Sequence, residues 1–329
     1  MEFRTLGPSG LSVPALTYGA FAIGGNMWGG NEKQDSINAI HAALDHGITA
    51  LDTAPFYGFG LSEELIGEAL KGRDRSQVQL LTKFGLVWDG SNQGKGTFFF
   101  DANDDGVQKP VYKYAAQANV IKEVEESLRR LNTDYIDLLQ LHWPDDNTPI
   151  AETMEALEQL LQQGKIRAAG VSNYSVAQLE EASQTLPMAS NQVWYSMLSR
   201  GIETDLVPYA QQNNTGIIAY SPLERGLLSG KYFKEATLKA DDHRNGYFGQ
   251  FDAQKVKALL EGLTPIAESK GATLAQLVLR WTTLQPGITT VLAGARNAAQ
   301  AESNARAMQF SLTETEQQKI RQLLAQNGL

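Results

Sequence analysis

Four ionisable side chains of this 329-residue chain stand at or just beyond the ends of short apolar runs: Asp52, Tyr57, Lys83 and His142. Any one of them alone reads equally well as a cap or a satisfied core group. Four in succession are harder to dismiss, because apolar strands have no structural need of them. Chemistry gives the set a joint purpose. A tyrosine hydroxyl has a pKa of ~10 in water and is a poor acid near neutrality. A neighbouring ammonium lowers that pKa, so Lys83 alongside would make Tyr57 a usable proton donor. Asp52 would hold Lys83 charged and oriented, and His142 could hydrogen-bond the same substrate oxygen. The set suits protonation of a carbonyl oxygen as charge develops there.

Such a set works only if the fold gathers it. Short apolar runs alternate with segments of helical period, the signature of a parallel sheet with crossover helices. The candidate strands are ALTYG, GITALDT, VQLLTKF, IDLLQLH, IRAAGVS, SNQVWY, GIIAYSP and TTVLAG, eight in all, after an N-terminal hairpin in FRTLGPSGLSVPAL. Helical stripes include SINAIHAALDHG, NVIKEVEESLRRL, IAETMEALEQLLQQGK and TETEQQKIRQLLAQNG, the last with Thr313 and Glu316 spaced as a capping box. Eight βα units without a linker predict a single (β/α)8 barrel domain over residues 1–329. The strand ends, and with them the four residues, would share one rim. Residues 88–114 read as a long polar and aromatic rim loop. The stretch 223–288 reads as a loop and two extra helices, around 253–269 and 273–285.

Composition narrows the rest. A net charge of −9 argues against nucleic acid or an anionic membrane as the partner. The absence of cysteine excludes disulfides and thiolate chemistry. With no signal peptide or spanning segment visible, a cytoplasmic location is expected. Other motifs fail on spacing. DANDDG (101–106) opens like a calcium loop but has Tyr112 where a bidentate glutamate belongs. RGLLSGKY lacks the first glycine and the Ser/Thr of a P-loop. In GFGLSE, Glu63 occupies the third glycine position of a dinucleotide fingerprint, so Gly58 and Gly60 read as a tight turn into a helix. His41 and His46 lie on different faces of one helix, and no metal is expected.

The four residues sit in LDTAPFYGFGLSEELIG, LLTKFG and IDLLQLHWPD. In these settings they resemble the catalytic tetrad of the aldo-keto reductase superfamily. The likeness runs nearly end to end and includes GKIRAAGVSNYS, SNQVWYSML, AYSPLERGLLSGKY and GARNAAQAESN. It is greatest to the bacterial NADPH-dependent branch with HWPD and GAR motifs. The resemblance implies an oxidoreductase that moves a hydride between NADP(H) and a small carbonyl or alcohol. It also implies that Ser172, Asn173 and Gln192 hold the nicotinamide carboxamide and that Tyr220 lies beneath the ring. Ser221, Leu223, Arg225 and Lys231 would follow the pyrophosphate. Gly294, Arg296, Gln300 and Asn304 would meet the adenosine end, with Arg296 on the 2′-phosphate. Ser303 departs from the pattern, where a glutamate often contacts adenine. Phe21, Trp28, Trp88 and Trp143 are candidates to wall the substrate site. Because the superfamily includes potassium-channel β subunits, an NADPH-sensing binding subunit is the alternative.

Overall fold

The computed structural model describes residues 1–25, 30–104, 106–233 and 244–329. All eight expected strands are present and close in chain order into one parallel barrel. They are β1 (Leu16–Gly19), β2 (Ala50–Asp52), β3 (Gln79–Phe84), β4 (Leu138–Leu141), β5 (Ala169–Ser172), β6 (Ser190–Trp194), β7 (Gly216–Tyr220) and β8 (Ile288–Gly294). Around them lie α1 (Lys33–Asp45), α2 (Leu61–Ala69), α3 (Gln117–Leu131), α4 (Ile150–Gln162), α5 (Val176–Ser183) and α6 (Leu206–Gln212). The β7–β8 crossover holds α7 (Ala253–Ser269) and α8 (Leu274–Thr283), while α9 (Ala298–Arg306) and α10 (Glu314–Gln326) follow β8. The Thr313–Glu316 capping box forms as expected.

Strand side chains alternate between two environments. Leu51, Leu80, Leu139, Val171 and Ile217 face outward and join the main core beneath the helices. Ala50, Leu81, Leu138, Ile218 and Leu292 face inward and form a second core with Leu6 and Val13 of the N-terminal hairpin. That hairpin (Phe3–Thr5 paired with Ser12–Pro14) therefore plugs the end of the barrel away from the strand C-termini. Two residues on from the inward apolar layer, the same alternation brings Asp52, Lys83 and Gln140 to the interior. Slipping a strand by one residue would turn them into the outer core.

The stretch expected as a rim loop is instead a three-stranded antiparallel sheet of Leu86–Val87, Thr97–Asp104 and Val107–Lys113. Asp104 pairs with Val107, and Gly106, at φ 90°, adopts the left-handed conformation that favours glycine. The calcium-like DANDDG falls at this end of the sheet, with its Asp105 outside the described residues. Among the described residues no group of three His, Asp or Glu side chains could hold a metal ion, and no helix is long and apolar enough to cross a membrane.

Candidate active site

Asp52 ends β2, and the chain then turns sharply before α2. Gly58, Phe59 and Gly60 all have positive φ (64°, 54° and 104°). A Cβ on Gly58 would lie 2.2 Å from the carbonyl oxygen of Gly24, so the glycine is required where the turn crosses the segment after β1. These glycines shape the turn that carries Tyr57. Glu63 on α2 is fully buried, accepting from Thr82 Oγ1 at 2.6 Å and Arg130 Nε at 2.7 Å.

The structure gathers Asp52, Tyr57, Lys83 and His142. Lys83 Nζ donates to Asp52 Oδ1 at 2.6 Å and to the Thr53 carbonyl at 2.8 Å, and lies 5.0 Å from the centre of the Tyr57 ring. The ion pair is buried on both sides. The His142 ring meets the Tyr57 ring edge-on at 5.7 Å. Burial is the largest influence on the Tyr57 hydroxyl and raises its pKa; the Lys83 charge pulls it down without overcoming burial. The expectation of a tyrosine acidified by lysine is thus corrected. The lysine acts in the expected direction, but desolvation outweighs it. For Lys83, burial works against the charge, and the attraction of Asp52 and Tyr57 reverses this, leaving the ammonium above its ordinary range. Burial, with the Lys83 charge, drives the His142 pKa well below the ordinary value, so its imidazole is neutral at neutral pH.

Asp52 Oδ2 accepts from Gln192 Nε2 at 2.7 Å and more weakly from Gln140 Nε2 at 3.3 Å. Gln140 was absent from the sequence-based site. Its signal is a buried polar residue at an inward position two before His142. With its Nε2 committed to Asp52, Gln192 offers Oε1 as an acceptor for a carboxamide. Asn173, at φ 61°, donates to Ser172 Oγ (3.0 Å) and accepts from the Tyr220 hydroxyl (2.9 Å). It is not a helix cap, since Ser175 caps α5 with a full capping box.

Asp52, Tyr57, His142, Asn173, Gln192 and Tyr220 open onto one cavity of about 830 Å³, with Lys83 and Gln140 behind them. All the residues proposed for the cofactor line it, as do Phe21 and Trp143. In one arm, the loop after β7 is strained: Ser221, Glu224 and Arg225 all have positive φ (56°, 48° and 53°). Sequence reasoning missed Glu224, a buried carboxylate that accepts from Trp194 Nε1 at 2.9 Å, and from Ser196 Oγ and the Tyr247 hydroxyl. Nothing in the linear order of a polar loop distinguishes it. Arg225 stacks on the Tyr247 ring at 3.9 Å. Farther along, Arg296 donates through Nη2 to the Gly30 carbonyl, and its backbone N–H donates to Gln300 Oε1 at 2.8 Å. Its buried Nε has no hydrogen-bond partner among the described residues. Asn304 donates to the Gly294 carbonyl at 3.0 Å, and Ser303 accepts from Gln276 Nε2 at 2.9 Å through its carbonyl. Lys231, Arg225 and Arg296 bring positive charge to this arm of a net-negative protein.

The other arm is aromatic. Phe56, Leu86, Phe99 and Phe100 line it beside Phe21 and Trp143. Trp88 does not reach the cavity; it packs behind, against Phe56 (5.9 Å) and Phe59 (5.8 Å). Its ring is taken up by the cluster of Phe56, Leu86 and Val111 beneath the rim sheet. Trp28 lies outside the described residues.

A family model for the aldo/keto reductase family matches residues 15–325. The chain belongs to that family. An aldo-keto reductase named YhdN from Bacillus subtilis is 39% identical over 98% of this chain and 94% of its own length. An NADH-specific methylglyoxal reductase from Escherichia coli is 34% identical over 98% of both chains. Among solved structures, the glycerol dehydrogenase of Gluconobacter oxydans superposes with a TM-score of 0.86 at 38% identity, covering 99% of this chain and 95% of that one. The protein is accordingly an oxidoreductase, and its barrel is the aldo/keto reductase barrel.

Proposed function

We propose that this single-domain aldo/keto reductase interconverts small aldehydes or ketones and their alcohols with NADP(H), with Tyr57 as the proton donor. The observation that carries the reading is the buried Lys83–Asp52 pair beneath Tyr57, opposite a neutral His142, at one end of a cavity whose other end is cationic. The residues fit the dinucleotide: the Arg296 Nε, without a partner among the described residues, suits an anion, and the Gln192, Ser172 and Asn173 cluster suits a carboxamide. When bound, the cofactor supplies the hydride.

The chain's own groups would handle the oxygen. Neutral His142 hydrogen-bonds and orients it without competing for the proton. Tyr57, held protonated by burial, delivers its proton as negative charge develops on the oxygen. Lys83 then stabilises the phenolate that remains, and Asp52 keeps Lys83 in place. Burial of the Lys83–Asp52 pair keeps water from it and strengthens its hold on the partly exposed Tyr57 above.

Replacing Tyr57 by Phe removes the donor and little volume. Carbonyl reduction should fall by a factor of about 10² to 10⁴, while NADPH binding, followed by fluorescence, persists. Undiminished turnover in Tyr57→Phe contradicts the assignment. Because the E. coli relative is named NADH-specific, the wild type should also be assayed with both dinucleotides; strong preference for NADH removes the role given to Arg296. Tight NADPH binding without turnover of any carbonyl favours a nucleotide-sensing subunit instead.

A further inference from the structure

The three-stranded sheet over the rim contains a bulge, and the bulge has a consequence for the cavity. Phe98 pairs with Tyr112 and Phe100 pairs with Val111, so Phe99 is an extra residue on its strand. In a regular strand Phe99 and Phe100 would point to opposite faces. A bulge re-aims the chain at such a point. Here both rings line the cavity, while Phe98 remains 52% exposed on the far face.

The two rings complete a continuous aromatic wall. Phe99 packs on Trp143 at 5.3 Å, Phe99 on Phe100 at 5.0 Å, and Phe100 edge-on to Phe56 at 5.6 Å. Trp143 adjoins His142 and Phe56 adjoins Tyr57 in the chain, so the wall spans the gap between the two groups that face the substrate oxygen. It comprises Phe21, Phe56, Leu86, Phe99, Phe100 and Trp143. Of these six only Trp143 carries a side-chain polar atom. The sheet is held to the barrel by buried Val111 packed with Phe56, by Asn147 Nδ2 donating to Thr97 Oγ1 at 2.7 Å, and by Lys109 above the Phe59 ring at 4.5 Å. The two phenylalanines thus present a fixed surface.

We propose that the bulged rim sheet is the specificity element of this reductase, with Phe99 and Phe100 selecting a flat apolar group bonded to the carbonyl carbon. Edge-to-face and offset contacts reward an aromatic substituent, and a wall poor in hydrogen-bonding groups gives nothing back to a hydroxylated one. The inference rests on the reductase reading above.

The test is the ratio of kcat/KM for benzaldehyde to that for propanal, with NADPH, in the wild type, Phe99→Ala and Phe100→Ala. The wild type should favour benzaldehyde, and each variant should lower the ratio about tenfold or more. NADPH binding by fluorescence reports that the variants are folded. Phe100→Leu, which keeps apolar bulk but loses the ring, gives the same reading should an alanine variant fail to fold. A ratio within about twofold of wild type in folded variants overturns the inference and leaves the reductase reading intact. No turnover of either aldehyde by the wild type overturns the reductase reading, and this inference with it.

Discussion

The two arms of the cavity are built on different principles. The cationic arm is assembled from residues at the ends of barrel strands and the loops that follow: Ser172 and Asn173 at the end of β5, Gln192 in β6, Tyr220 through Arg225 from the end of β7, and Gly294 and Arg296 from the end of β8. Barrel closure places them, because alternation and register leave each strand-end residue one place to go. The aromatic arm depends on an insertion between β3 and α3, and within it on one extra residue. The first arm is polar and cationic; the second is apolar and uncharged. A shared scaffold can therefore keep one arm while the other varies, since an insertion alters no barrel register.

The largest expected effect lies where the arms meet. Lys83→Met should lower kcat by about 10³-fold for every substrate alike, as measured by steady-state reduction with NADPH. It should also destabilise the protein by about 3–5 kcal/mol in urea unfolding, because Asp52 is left buried without its cation. A loss confined to benzaldehyde would place Lys83 in the substrate wall and break the division of labour. Next comes the cationic arm. Arg296→Ala should weaken NADPH binding by roughly 10- to 100-fold and NADH binding little, the worth of a charge-assisted bond to phosphate. Equal losses for both dinucleotides would mean that Arg296 supports the arm only as structure.

The last effect, on stability alone and not on turnover, concerns the footing of the rim sheet. Glu123 on α3 accepts from the Gly85 backbone N–H through both oxygens at 3.1 Å, where β3 gives way to the insertion. Burial pushes its carboxyl up to about 8, despite hydrogen bonds from Gly85 and Asn119 that pull the other way. The folded protein thus keeps a proton that the unfolded chain releases near the ordinary glutamate value. Stability from this group is whole at lower pH and falls as pH rises toward 8, by up to a few kcal/mol. Glu123→Gln retains an acceptor for Gly85 and should flatten that decline in urea unfolding between about pH 5 and 9. An unchanged slope would show that another group carries it.

The contrast between the arms also explains what could be read from the sequence. Eight strands were legible because each is a short apolar run between helical stripes. The placement of Asp52, Lys83 and His142 followed, since period two carries each strand-end residue to a known side. The rim sheet was not legible. Its FFF interrupts alternation where the bulge lies, so TFFFDAND lacks the period that marks a strand, and the hairpin tip resembled an ion-binding loop. Gln140 and Glu224 were missed for another reason: each draws its meaning from neighbours far along the chain, Asp52 for one and Tyr247 for the other. The direction of the Tyr57 shift was likewise tertiary, because no local sequence reports how completely a hydroxyl is dehydrated.

Asp52 holds Lys83 with one oxygen and Gln192 with the other. On the proposed reading, this single carboxylate stands between the proton donor and the amide that faces the nicotinamide. A carboxamide N–H that donates to Gln192 Oε1 polarises that amide, so its Nε2–H binds Oδ2 more strongly and less negative charge is left for the ammonium. Occupancy at one end then alters proton affinity at the other, and by linkage the ionisation of Tyr57 and Lys83 alters occupancy to the same degree. Two transfers that are written as separate arrows share one electrostatic ledger.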